Sequence, residues 1–242
     1  LGFGLINGYF VAVVGLSSLA VTLAGYIGFR GLARLLVQDR SVGDFPEWFT
    51  DLGQRGLIGP VTLSILIYFV LAILAIIVLH FSGLGRLTYV IGNSAPVARF
   101  SGVSVVRTRL IIFMMSGLVA ALAGVLMTAR LGAVRASTAE GFELDIITVV
   151  LLGGVSIFGG VGSMVGVLLA TYLVLNLRNG LVIAGVTGNT QTGIIGLLLI
   201  LSVLLPNLAE RVRERLRRRQ ADAVVRNQQT PPGDTPWVTE PG

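Results

Sequence analysis

Few side chains in this sequence could do covalent chemistry. The chain has one histidine, His80, and no cysteine, so thiol catalysis and thiolate metal sites are excluded. Ser156 lies among glycines in "GVSIFGG", but a nucleophilic serine needs a general base beside it. His80 is far away in sequence, at the end of an apolar run. An intramembrane serine protease is therefore disfavoured, and we predict no catalytic residue and no metal site.

Polar side chains inside apolar sequence are better candidates for contacts with a transported solute. Ser17, Ser18 and Thr22 carry hydroxyls in an otherwise apolar segment. They could line the path of a sugar, or simply bond back to carbonyls of their own helix. Glu143 and Asp145, in "FELD", could contact a soluble binding protein or favour the positive end of a helix dipole. Both interpretations stay open.

Glycine pairs interrupt the apolar segment "LLGGVSIFGGVGSMVG", residues 151–166. Each would destabilise a continuous helix by about 1 kcal/mol relative to alanine. Broken helices at membrane depth are tolerated where they face protein or a cavity, and in transporters they often mark the permeation route. We therefore add Gly153, Gly154 and Ser156 to the candidate translocation path.

Two further glycine pairs have the small-xxx-small spacing that lets helices approach closely. One is Gly4 with Gly8, and the other is Gly162 with Gly166. Both pairs predict tight helix packing. The glycine spacing does not match a dinucleotide-binding fingerprint.

The stretch "GNSAPVARFSGVSVVRTR", residues 92–109, separates two strongly apolar segments and contains arginine but no acid. Ser94 is a good helix N-cap, Pro96 suits the first turn, and Gly102 is a natural terminator. The enclosed "APVARFS" would be roughly 10 Å of helix, too short to cross a membrane. It is either an ordinary loop at the lipid headgroups or a rigid knob offered to a soluble partner.

Composition predicts the setting of these residues. The chain is 54% hydrophobic and 12% charged, with a mean hydropathy of +0.86. Soluble domains carry about 25% charged residues, and a membrane helix needs about 20 apolar residues. We predict an all-α polytopic membrane protein with about six to seven transmembrane helices, some short or broken. The predicted segments are 1–14, 17–36, 60–81, 110–129, 144–158, 163–177 and 191–208.

Arginines without acidic neighbours predict the orientation. They occur in the loop around residues 86–109 and in a cluster at 211–219, and both should be cytoplasmic. An even number of crossings must separate them, so 144–158 has to cross. The polar loop that we predict over 37–59, with the acids of 39–51, then lies outside. Four arginines misfit by lying near the outer face: Arg30, Arg34, Arg130 and Arg135.

We expect a permease domain over 1–210, followed by a basic and then disordered cytoplasmic tail over 211–242. The net charge of +6 is attributed to the cytoplasmic end of the last span and to lipid contacts, not to nucleic-acid binding. The chain begins in apolar sequence at Leu1. We therefore expect an upstream portion to be missing, which makes the helix count a lower bound.

Several blocks in order resemble the sugar-type permeases of bacterial ATP-binding-cassette (ABC) importers, the ribose, xylose, rhamnose and autoinducer-2 group. The resemblance runs from about residue 4 to 208. Its blocks are "GNSAPVARFSGVSVVRTR", "SGLVAALAGVLMTARLG", "GFELDIITVVLLGGVSIFGGVGS", "NGL" and "GLLLILSVLLP". The third block, with the residues before it, is most similar to rhamnose and autoinducer-2 permeases.

The resemblance implies that the polar stretch contains a cytoplasmic coupling helix that docks on a separate ATPase subunit. The residues matching that block are Gly92, Asn93, Ala95, Ala98, Arg99 and Gly102, while Pro96 departs mildly. ATP and Mg²⁺ would be bound by the partner, so this chain needs no cofactor and is not an enzyme. A second permease copy or paralogue and a solute-binding protein complete the system. Asn179 matches the family's outer turn and, with Glu143 and Asp145, could face that binding protein.

The implied location is the bacterial cytoplasmic (inner) membrane, with a cytoplasmic C-terminus. One alternative is a permease of the same superfamily for branched-chain amino acids or nucleosides. Another is an ion-coupled secondary transporter, a class that usually keeps ionisable residues at mid-membrane. The central parts of 60–81, 110–129 and 163–177 contain none.

Overall fold

Long apolar runs form the principal helices of the protein. The computed structural model describes residues 1–204, apart from 39, 59–60, 158, 203 and the side chains of 57–58. The predicted basic cluster, the domain boundary at 210 and the tail lie outside the described residues. The chain forms two compact units, Leu1–Val186 and the part from Thr187 onward.

The first unit contains nine α-helices and one small hairpin within its described residues. Two helices end in a π-helical turn, namely α1 at Phe10–Val14 and α4 at Ile77–Phe81. The helices are α1 (Gly2–Tyr9), α2 (Ser18–Val37), α3 (Glu47–Gln54), α4 (Leu63–Ile76), α5 (Gly83–Asn93), α6 (Ala95–Phe100), α7 (Val105–Leu131), α8 (Phe142–Leu152) and α9 (Met164–Ile183). Within its described residues, the second unit contributes the apolar helix Gly188–Ser202.

Four helices of the described residues are long and apolar enough to cross a membrane. They are Ser18–Val37, Leu63–Phe81, Val105–Leu131 and Met164–Ile183. A helix of 20 residues is about 30 Å long, which matches the hydrocarbon core. The first and last predicted segments form the shorter apolar helices Gly2–Val14 and Gly188–Ser202. The predicted all-α polytopic class is confirmed.

The predicted segment 144–158 is a broken element. Its helix α8 has 11 residues, about 16 Å, and cannot cross a core of about 30 Å alone. From Gly153 the backbone leaves the helix, and the described residues up to Ser163, which exclude 158, are irregular until α9 begins. We call residues 153–163 the glycine loop. Within a membrane, irregular backbone is tolerated where protein surrounds it.

Three elements were not predicted from the sequence. The polar segment 37–59 was expected to be a loop, yet it contains helix α3, which packs on α7. A two-stranded antiparallel hairpin, β1 (Gly56–Ile58) with β2 (Val61–Thr62), is an addition to the all-α expectation. Helix α5 replaces the first part of the expected cytoplasmic loop. Its N-cap is Ser82, whose Oγ accepts a hydrogen bond from the Gly85 N–H at 3.2 Å.

Glycines bring α1 and α7 together. A Cβ on Gly4 would lie 2.5 Å from the Phe113 carbonyl oxygen, and one on Gly117 would lie 3.0 Å from the Gly4 Cα. Gly8 packs in the same way on the side chain of Phe113. The close packing predicted for Gly4 and Gly8 is therefore confirmed.

The second predicted glycine pair is different. Gly166 lies in α9 and closes on the backbone of Gly153. Gly162 precedes the helix and packs on the side chain of Val155 instead. The tight helix packing predicted for this pair is confirmed at Gly166 and wrong at Gly162, because α9 begins only at Met164.

The α1–α7 contact predicts a selective loss of stability. Gly117→Val should lower the free energy of unfolding by about 1–3 kcal/mol, because the added side chain would overpack against Gly4. Gly124→Val, on the same helix, is the matched control, since no described atom lies within 4 Å of a Cβ there. Thermal unfolding in detergent micelles measures both variants, and equal losses would contradict the proposed packing.

Candidate functional site

Helix α6 is a short capped helix between two longer ones. The Ser94 Oγ accepts a hydrogen bond from the Val97 N–H, and proline lies in the first turn. Gly102 has φ +79°, the left-handed conformation that favours glycine after a helix. These predicted caps are confirmed. The helix has six residues, about 9 Å in length.

The two faces of α6 differ from the sequence-based expectation. Ala98 was expected to permit close contact with a soluble partner, but its side chain is 0% exposed and packs with Ile91 and Val105. It therefore holds α6 against α5 and α7. The outward face carries Phe100, which is 94% exposed, and Val97, which is 59% exposed. Sequence reasoning missed both, although an aromatic residue in a polar loop was a usable signal.

The other residues that match the family's coupling helix differ in their exposure. Asn93, Arg99 and Gly102 are exposed, and Ala95 is half-buried beside the cluster that holds Ala98. Gly92 packs against the backbone of Gly160 in the glycine loop. The block is thus divided between an outward surface and an inward contact.

Two of the three candidate hydroxyls line a cavity near the start of α6. Ser17 and Ser18 contribute to a cavity of about 480 Å³, together with Thr88, Gly92 and Arg109. The third candidate, Thr22 on α2, is not among the residues that line this cavity.

Thr22 bonds back to its own helix. Its Oγ1 lies 2.9 Å from the Ser18 carbonyl oxygen and 3.2 Å from that of Leu19. This is the alternative that the sequence left open for the hydroxyls.

A second cavity, of about 710 Å³, was not predicted from the sequence. Gly53, Gln54, Ser64, Tyr68 and Arg130 are among its lining residues. Arg109 of the first cavity and Arg130 of the second lie on α7, 21 residues apart in sequence, or about 30 Å along the helix axis. The two cavities therefore lie at opposite ends of the first unit.

The candidate path residues in the glycine loop either pack against a neighbouring helix or form turns. Gly153 closes on the backbone of Gly166 and Val167 in α9, so it is a packing residue. Gly154 has φ +84° and turns the chain out of α8. Ser156 belongs to a turn in which its N–H donates to the Val161 carbonyl at 2.9 Å.

Acids at the start of α8 connect it to α2. The Tyr26 hydroxyl donates to Glu143 Oε1 at 3.0 Å, and the Gly141 N–H donates to Glu143 Oε2 at 3.1 Å. Arg30 pairs with Glu140 at 3.1 Å and also donates to the Tyr26 hydroxyl. The orientation scheme left Arg30 as a misfit, and this ion pair supplies the acidic partner that the scheme lacked.

Asp145 connects α8 to α9. Its Oδ2 lies 2.7 Å from Nη2 of Arg178, whose guanidinium also lies over the Phe142 ring. The side chain of Asp145 is mostly buried, whereas Asn179 beside Arg178 is exposed. The geometry thus gives Asp145 a packing role and leaves Asn179 free for an external contact.

The Asp145–Arg178 ion pair predicts that replacing one carboxylate by an amide lowers the stability of the protein. Asp145→Asn leaves the half-buried Arg178 without its carboxylate, so the free energy of unfolding should fall by about 1–3 kcal/mol. Asp51→Asn is the control, because its pair with Arg55 is exposed and should contribute less than about 1 kcal/mol. Thermal unfolding in detergent compares the variants, and an equal shift would refute the difference in burial.

Comparisons with known proteins match this chain to transport permeases. The family model described as "Branched-chain amino acid transport system / permease component" matches residues 1–203. The "Autoinducer 2 import system permease protein LsrD" of Yersinia enterocolitica is 34% identical over an alignment of 207 residues, with 83% of this chain and 62% of the relative covered. The proteins of the same name from Yersinia pseudotuberculosis and Salmonella paratyphi B are 33% and 34% identical, with the same coverage.

The chain therefore spans less than two thirds of the length of these relatives. No solved structure matches it. The family match and the four apolar helices make it a multi-pass inner-membrane protein. The chain belongs to the family of permease components typified by branched-chain amino acid transport systems.

Proposed function

We propose that this chain is part of the permease subunit of an ABC importer and forms a translocation path for a sugar or sugar-like solute. The observation that carries the proposal is α6, a capped helix too short to span the membrane that presents Val97 and Phe100 outward. The names of the relatives, which refer to autoinducer-2 import, support the choice of solute class. A binding protein would deliver the solute.

The distribution of charge supports a cytoplasmic position for α6. Arg86, Arg99, Arg107 and Arg109 lie in or beside α5, α6 and the start of α7. The acids Glu140, Glu143 and Asp145 lie at the start of α8, next to Arg30 and Arg178. An excess of arginine without acids is typical of the cytoplasmic side. We infer that the C-terminus is on that side too.

The proposed mechanism places ATP hydrolysis in a partner subunit. ATP can bias the permease only if its two conformations differ in their contacts with the ATPase. The outward face of α6 supplies such contacts, and the buried Ala98 makes α6 move with α5 and α7. A second permease copy or paralogue would complete the path, with Ser17 and Ser18 facing its cytoplasmic end.

The proposed docking of α6 predicts that Phe100 is needed for association with the ATPase. Phe100→Ala should weaken association with the ATPase at least tenfold, because a buried aromatic anchor is a typical interface hot spot. Phe69→Ala is the matched control, since Phe69 is an exposed aromatic residue on the membrane-crossing helix α4. Capture of the partner ATPase from detergent extracts measures the association. Unchanged capture by the Phe100 variant would refute docking through α6.

The absence of native cysteine makes the orientation testable. Phe100→Cys should react with a membrane-impermeant maleimide only after the cells are opened, whereas Ser137→Cys should react in intact cells. Both side chains are exposed in this chain, and the cells produce it without the ATPase, so shielding by protein does not explain a difference. The reverse pattern would overturn the proposed topology and the coupling mechanism.

Uptake distinguishes the candidate solutes. Vesicles containing the permease, the ATPase and the binding protein should take up autoinducer-2 or ribose only when ATP is present. Uptake of leucine would instead favour the branched-chain amino acid alternative, to which the family description points. Uptake that requires an ion gradient and not ATP would favour a secondary transporter.

A further inference from the structure

Two glycine backbones meet where α5 touches the glycine loop. A Cβ on Gly92 would lie 2.5 Å from the Gly160 nitrogen, and one on Gly159 would lie 2.9 Å from the Gly92 carbonyl oxygen. Gly160 has φ +75°, and a Cβ there would lie 3.0 Å from the Asn93 Cα. The two chains are therefore in direct main-chain contact, which side chains on these residues would prevent.

A hydrogen bond joins the same two segments one helical turn earlier. The Tyr89 hydroxyl donates to the Gly162 carbonyl oxygen at 2.8 Å. Tyr89 is half-buried on α5, and the carbonyl belongs to the irregular backbone before α9. The tyrosine thus satisfies a carbonyl that no regular helix bond uses.

These contacts lie between the short helix α6 and the broken element. Gly92 and Asn93 end α5, and Ser94 directly after them caps α6. The other end of the glycine loop is joined to α9, because Gly153 closes on the backbone of Gly166. A displacement of α6 therefore reaches the loop without crossing a flexible side chain.

We propose that the Gly92–Gly160 contact and the Tyr89–Gly162 hydrogen bond transmit movement from α6 to the glycine loop. Tyr89, Gly92 and Gly160 are then positioning residues, and this role rests on the proposed function. Close-packed backbones shift together and do not deform gradually. Gly92 and Gly160 accordingly allow α5 and the glycine loop to touch, in addition to any role of the loop in the translocation path.

Movement of the loop can be followed without knowing the solute. Val161 is 67% exposed, so Val161→Cys provides one reactive thiol within the loop. The protein is reconstituted with its ATPase, and the rate of labelling by a maleimide is measured with and without ATP and vanadate. We expect ATP to change this rate by at least twofold.

The test adds one substitution at a time to this background. Gly92→Ala separates the backbones, and Tyr89→Phe removes one hydrogen bond, which corresponds to about a two- to tenfold change in an equilibrium. Each should reduce the ATP-dependent change in labelling at least twofold, and Tyr89→Phe should do so while ATPase binding and ATP hydrolysis stay unchanged. The controls are Gly83→Ala, at the start of α5 with no described atom within 4 Å of a Cβ, and Tyr172→Phe, whose side chain is 71% exposed.

The outcomes separate this inference from the proposed function. If the unsubstituted protein does not bind the ATPase, the proposed function fails and the inference fails with it. If it binds but ATP does not alter the labelling of the loop, the inference alone is wrong. An ATP response that is equal in Tyr89→Phe and in its control also overturns it, because the milder variant keeps the packing of α5.

Discussion

Main-chain contact at glycine is the constraint on which this structure depends. A membrane protein gains little from moving apolar side chains out of lipid, so its helices associate through close packing. Here α1 closes on α7 at Gly4 and Gly117, and α3 closes on α7 at Gly53. The start of α9 closes on Gly153. Larger residues would separate each pair and remove the contacts that hold the first unit together.

The same constraint explains the broken element. Helix α8 is too short to cross a membrane, and the glycine loop that follows has backbone groups outside any helix. Those groups are tolerated because the loop lies on α5 and α9. Tyr89 supplies a donor to the Gly162 carbonyl, and Ser156 and Val161 pair within the loop. In transporters, broken helices with supported irregular backbone often form the substrate site.

Charge is divided between the two ends of the first unit. Near α6, the arginines 86, 99, 107 and 109 are without acidic neighbours in the sequence. At the start of α8, the acids pair with Arg30 and Arg178 across helices. A free arginine belongs at an anionic or cytoplasmic surface, whereas a paired one can lie elsewhere. Whether an arginine has an acidic partner therefore says more about its side of the membrane than its position in the sequence does.

Local signals predicted the local features well. Ser94, Pro96 and Gly102 act within one or two helical turns, so their sequence spacing was enough to predict α6. The long apolar runs likewise predicted the membrane helices. Helices α3 and α5 were missed because both lie outside the long apolar runs and were read as loops. The inward direction of Ala98 was missed because it depends on Ile91 and Val105.

The sequence by itself determined the class of the protein and the position of its short capped helix, because hydropathy and helix capping are properties of neighbouring residues. Only the tertiary structure decided which distant residues of the chain contact each other. Tyr26 meets Glu143, and Gly92 meets Gly160, across long separations in the chain. Such pairs follow from how whole helices pack, and no local pattern in the sequence encodes them.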